Sequence, residues 1–169
     1  MEIILAHGAS GNAASMQAHV DGLRRRSLTA RAIDLPVRKA EDAVPVFQAA
    51  LRAANTAVIG GQSYGGRVAS LLAASQPVAG LVLLSYPLHR PGHAEWEPRT
   101  EHWPALTCPV LLLSGEADPM ARLDLLRRAV GRLAQAELVT YPRLGHTLRP
   151  VLDDALDRIA RFVAQLRPL

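Results

Sequence analysis

Apolar positions along the chain fall into two alternating patterns. Short runs rich in Val, Ile and Leu occupy Ile3–Ala6, Ala30–Leu35, Ala57–Gly60, Leu81–Ser85, Val110–Ser114 and Glu137–Tyr141. Between them lie stretches with apolar residues at helical spacing: 13–27, 40–54, Gly65–Ser75, 119–133 and 150–166. A short run closed by proline or glycine reads as a strand covered on both faces, whereas the longer period reads as a helix that covers one. Pro36 and Pro87 close two of the runs. Alternation of this kind predicts an α/β chain: a three-layer sandwich around a mostly parallel sheet of about six strands joined by right-handed crossovers. Residues 88–106 break the pattern with Pro91, Gly92, Trp96, Pro98 and Trp103 among mixed charges. They read as a loop or broken excursion whose tryptophans anchor on the core. No repeat, linker or low-complexity tract interrupts residues 1–169, so a single domain is expected.

Composition narrows the classes. Apolar residues make up 49% of the chain and charged residues 20%, which suits a packed core rather than disorder. The net charge is +4. Lys39 is the only lysine, and the arginines are scattered, with Arg24-Arg25-Arg26 the one run. That distribution reads as a solvated basic surface, and no nucleic-acid partner is expected. Cys108 stands alone, which excludes an intrachain disulfide. No apolar stretch reaches membrane-spanning length, and Ile3–Ala6 is too short for a secretory core. No membrane partner is expected, and a cytoplasmic location is.

The candidate chemistry centres on Gly61-Gln62-Ser63-Tyr64-Gly65, a G-x-S-x-G pentapeptide set between a predicted strand and a predicted helix. That context asks for a sharp turn that lifts the Ser63 hydroxyl to a helix N-terminus, where developing negative charge is favoured. A hydroxyl needs an adjacent base, and in this arrangement the acid and then the histidine follow the serine along the chain. Asp118 follows the strand Val110–Ser114, and His146 follows the strand Glu137–Tyr141. Both lie beyond the C-terminal strand ends where open α/β sheets build their sites. Asp118 equally suits the cap of a helix beginning at Pro119, and Glu116 is a rival acid. An oxyanion hole would draw one backbone N–H from Tyr64 and one from the loop His7-Gly8-Ala9-Ser10-Gly11. Ala9 is the first choice there, with Gly8 and Ser10 as its neighbours. Substrate-binding candidates on the pocket wall are Leu88, His89, Met120 and Leu148, beside Tyr64. His89, His93 and His102 lack a fitting carboxylate or cysteine set, so no metal and no cofactor are expected.

With these residues placed, the chain resembles the α/β-hydrolase superfamily over its whole length. More narrowly, it resembles the small, capless dienelactone-hydrolase-like branch, which includes testis-expressed and histone-acetyltransferase-complex-subunit hydrolase-like proteins. The matching segments are His7-Gly8-Ala9-Ser10-Gly11, Gly61-Gln62-Ser63-Tyr64-Gly65-Gly66, Leu84-Ser85-Tyr86-Pro87-Leu88-His89, Ser114-Gly115-Glu116-Ala117-Asp118 and Gly145-His146. The resemblance implies a minimal hydrolase fold without a cap domain. It also implies a Ser–His–Asp hydrolase that cleaves a small-molecule ester or thioester through an acyl-enzyme. Dienelactone hydrolases proper use cysteine where this chain has Ser63. The competing expectation is a non-catalytic binding or scaffold protein that retains the fold.

Overall fold

The computed structural model describes residues 1–51 and 57–166. Six parallel strands form one sheet in the order β2-β1-β3-β4-β5-β6. They are β1 (Glu2–Ala6), β2 (Thr29–Ile33), β3 (Ala57–Gln62), β4 (Gly80–Leu84), β5 (Val110–Gly115) and β6 (Ala136–Tyr141). The helices are α1 (Gln17–Arg25), α2 (Ala40–Leu51), α3 (Tyr64–Ala73), α4 (Glu97–Thr100), α5 (Leu123–Val130) and α6 (Leu152–Gln165). The part of the expected second helix beyond Leu51, residues 52–54, lies outside the described residues.

The strand side chains explain the layering. Alternate residues point to opposite faces. Ile3, Leu5, Val58, Val82, Leu111 and Leu113 pack under α1 and α6, together with Val20, Leu23, Leu156 and Ile159. Their neighbours Ile4, Ile59, Leu81, Leu83 and Leu112 pack under α2, α3 and α5, with Phe47, Leu72 and Leu126. Burying each such Leu or Ile side chain contributes about 1.5–3 kcal/mol, so the central strands need apolar residues at every position and show no polar alternation. β4 and β5 are buried throughout.

Several boundaries differ from the sequence expectation. The helix expected over 119–133 begins only at Leu123. Residues 119–122 form a turn instead, because the Asp118 carboxylate accepts from Met120 N–H at 2.8 Å and the Asp118 carbonyl from Ala121 N–H at 3.2 Å. The stretches 13–27 and 150–166 each open in a short 3-10 turn before α1 and α6. The excursion 88–106 folds down on the α5 side. There Trp103 is fully buried and meets Tyr86 edge-on at 5.0 Å between ring centroids. No helix among the described residues is long and apolar enough to cross a membrane.

Candidate active site

β3 ends at Gln62 and α3 begins at Tyr64, so Ser63 alone makes the turn. Its backbone is left-handed, φ 50° and ψ −112°, a conformation that costs a non-glycine residue about 1–3 kcal/mol. Two backbone bonds hold it there. Ser63 N–H donates to Leu84 O at 2.8 Å, and Arg67 N–H donates to Ser63 O at 3.1 Å. The flanking glycines have a specific reason: a Cβ on Gly61 or on Gly65 would run into the Ala6 carbonyl, so β1, β3 and α3 reach this spacing only without side chains there.

The loops after β5 and β6 converge on the same point. A Cβ on Gly115 would strike the carbonyls of Leu144 and Gly145. Ala117 N–H donates to Leu144 O at 2.9 Å and ties the two loops together. Asp118 is thereby brought under His146. Its side chain is 0% exposed and that of His146 28%. A carboxylate accepts only, so His146 Nδ1–H donates to Asp118 Oδ2 at 2.7 Å. That leaves Nε2 as an acceptor, 2.8 Å from Ser63 Oγ. The other Asp118 oxygen holds the Met120 turn, and no helix begins at Pro119 for it to cap. Glu116, the rival acid, instead accepts from Thr140 Oγ1 at 2.8 Å.

Of the oxyanion candidates, Tyr64 N–H belongs to the first turn of α3, where no intrahelical acceptor exists. Ala9 lies in the loop after β1 and shares a cavity of about 300 Å³ with Ser63 and Tyr64. Met120 lines that cavity too. The other expected wall residues lie elsewhere. Leu88 and His89, the first residues of the excursion, are buried at 0% and 2% exposure. Leu148 lines a second cavity, of about 410 Å³, beside Ser10, Gln62 and Thr147.

His89 is a tether. Its Nδ1–H donates to Arg90 O at 2.8 Å, and its Nε2 accepts from Arg122 N–H at 3.0 Å. It therefore fixes the segment that follows Asp118. His7 does the same for the loop after β2, with Nδ1–H donating to Gly8 O at 2.7 Å and Nε2 accepting from Leu35 N–H at 2.9 Å. The Tyr64 hydroxyl then donates to Pro36 O at 2.8 Å. Sequence reasoning gave neither tether, nor the cationic wall formed by Arg67 and Arg99. Arg67 had a signal, one helical turn past Ser63 on the same helix. Arg99 had none, because the irregular excursion delivers it.

Burial pushes the Cys108 thiol up to about 11, which keeps it protonated at neutral pH. Among the described residues, no group of three or more His, Cys, Asp or Glu side chains is placed to hold a metal ion.

Solved structures share this architecture. A monoacylglycerol lipase of Paleococcus ferrophilus superposes with a TM-score of 0.85 at 14% identity, over 96% of this chain and 93% of that one. Est1E of Butyrivibrio proteoclasticus, with ferulic acid bound, gives 0.79 at 16% identity over 97% and 90%. A thioesterase domain from the curacin biosynthetic pathway gives 0.78 at 13% identity over 97% and 90%. At these identities the likeness is one of fold. Residues 36–164, which run from the loop after β2 into α6 and include Ser63, Asp118 and His146, match the family described as Alpha/beta hydrolase domain. The chain belongs to that family of hydrolase-fold proteins.

Proposed function

We propose that this protein is a serine hydrolase that cleaves a small-molecule ester or thioester through an acyl-enzyme. The observation that carries the reading is the unbroken relay from Ser63 Oγ to His146 Nε2 at 2.8 Å and from His146 Nδ1 to Asp118 Oδ2 at 2.7 Å. In this reading His146 takes the Ser63 proton as the oxygen attacks the substrate carbonyl. Asp118 holds the tautomer that leaves Nε2 free, and stabilises the imidazolium that forms. The N–H groups of Tyr64 and Ala9 receive the oxyanion. His146 returns the proton to the leaving group, and water releases the acyl group by the same route. The Ser85-Tyr86-Pro87-Leu88-His89 segment supports keeping the chain with the small dienelactone-hydrolase-like hydrolases. Similarity in fold to a lipase, an esterase and a thioesterase domain supports acyl transfer without choosing among those substrates.

A fluorophosphonate probe tests this directly. The folded wild type is expected to be labelled at Ser63 and to hydrolyse p-nitrophenyl butyrate, and Ser63→Ala to do neither. Folded wild-type protein that takes no label would overturn the reading in favour of a non-catalytic binding protein.

A further inference from the structure

The cavity that contains Ser63 is strongly basic. Arg38, Lys39, Arg67 and Arg99 line it against a single carboxylate, Glu41. The excess of three cations over anions on this one wall compares with +4 for the whole chain. The second cavity, beside Thr147 and Gln62, carries one arginine, Arg149.

Two of the four cations are partly withdrawn from solvent. Arg67 has a side chain 20% exposed, and its Nη2 reaches Glu41 at 2.8 Å. Its Nε is buried without any partner among the described residues. Arg99 donates to the Pro87 carbonyl at 2.7 Å and takes part in none of the ion pairs among the described residues. Burial and then the neighbouring Arg67 both disfavour its charge, with Arg90 adding to them and Tyr86 opposing. A guanidinium stays protonated under such conditions, so a bound anion would be favoured beside it. Arg67 and Arg99 come from different elements, α3 and α4, and line the Ser63 cavity together, while also lining a further cavity with Arg90, His93 and Glu95.

The chemistry of the relay orients the substrate. His146 must protonate the leaving group, so that group belongs on the side of His146 and Thr147. The acyl portion then falls to the cavity that Ser63 shares with Tyr64, Arg67 and Arg99. Building on the serine hydrolase reading, we infer that the acyl portion of the substrate carries a second, carboxylate group that Arg67 and Arg99 bind, so that the enzyme prefers half-esters of short dicarboxylic acids. Arginine suits this task because its planar fork matches a carboxylate with two parallel bonds.

The test compares two matched esters, monomethyl glutarate and methyl pentanoate, by acid release at constant pH. Wild type is expected to favour the half-ester in kcat/KM by roughly tenfold or more, with the ratio shrinking as salt rises. Arg99→Ala is expected to bring the ratio close to one, and Arg99→Lys, which keeps the charge without the fork, to leave part of it. Both variants alter a half-buried side chain, and thermal unfolding against wild type verifies that they fold. A wild type that hydrolyses both esters equally, or the neutral one better, overturns the inference while the hydrolase reading stands. Retention of the full ratio in Arg99→Ala overturns the assignment of the carboxylate site. Absence of release from either ester, in protein that also takes no fluorophosphonate, overturns inference and hydrolase reading together.

Discussion

Ser63 and Ser85 sit side by side at the ends of paired strands, each with a positive φ. β3 and β4 run in register with Gln62 opposite Leu84, and each serine is the next residue. Their φ angles are 50° and 49°. Each N–H reaches across to the following strand, Ser63 to Leu84 O and Ser85 to Leu113 O, both at 2.8 Å. The surroundings differ. Ser63 opens a helix and lies in a cavity with His146 over its hydroxyl. Ser85 is fully buried, and its hydroxyl has no partner among the described residues. A left-handed serine at a strand end is thus a feature of how this sheet feeds its crossovers. What separates a candidate nucleophile from an inert residue is the base brought to it from 83 positions away.

The largest effect expected from this contrast is on turnover. Ser63→Ala should lower kcat/KM for p-nitrophenyl butyrate by about 10⁴-fold or more, because the attacking atom is gone. Ser85→Ala should leave it within about twofold. That variant should also unfold at an unchanged or slightly higher temperature, since it removes a buried hydroxyl that makes no bond. Equal losses of turnover in the two variants would break the comparison.

The same contrast explains what was legible in the sequence. The six strands were, because a sheet covered on both faces demands uninterrupted apolar runs. Ser63, Asp118 and His146 stood out as candidates because each follows a strand, in a chain order that the strand-turn-helix motif constrains. The helix after β5 was placed too early because Asp118 spends its second oxygen on Met120 N–H, a bond no propensity reports. The sequence offers His89 as a pocket-wall candidate. Its ring is committed instead to Arg122 N–H, 33 positions on, and no local pattern encodes so distant a partner. Arg99 stayed invisible for the same reason, since only the packing of Tyr86 and Trp103 decides where the excursion carries it.

His89 provides the next test, because it joins the covered region to the open one. Truncation to Ala would remove the acceptor of Arg122 N–H and leave a void where the buried ring lay. A stability loss of about 2 kcal/mol is expected in urea unfolding. The turn that seats Asp118 should loosen with it, lowering the rate of fluorophosphonate labelling by roughly tenfold. His89→Gln retains an acceptor and should recover part of both. Unchanged labelling in His89→Ala would show that the excursion covers Ser85 without steadying the relay.

The smallest effect is acid sensitivity, and it belongs to the covered side. His102, within the excursion, approaches Ser70 on α3 with Nε2 2.7 Å from its hydroxyl. Ser70 directs its own proton to Arg67 O at 2.8 Å and so accepts from the imidazole. Burial, and secondarily the charge of Arg67, lower the pKa of His102 from 6.5 to about 4, with Glu41 opposing. Between those two values the unfolded chain binds a proton that the folded chain refuses, so stability falls as pH drops through that window. Above pH 6.5 the contribution is fully present, and below about 4 it no longer changes. His19 is shifted the same way, by burial and then by Arg149, so some slope remains without His102. Glu41, Asp124 and Asp154, whose carboxyls are held below their ordinary values, add loss at the acid end. His102→Gln should therefore reduce, without abolishing, the shift in urea midpoint between pH 7 and 4.5. An identical shift in wild type and variant would mean that the excursion lifts off α3 before the protein unfolds, and the contrast between a sealed Ser85 and an open Ser63 would then hold only near neutral pH.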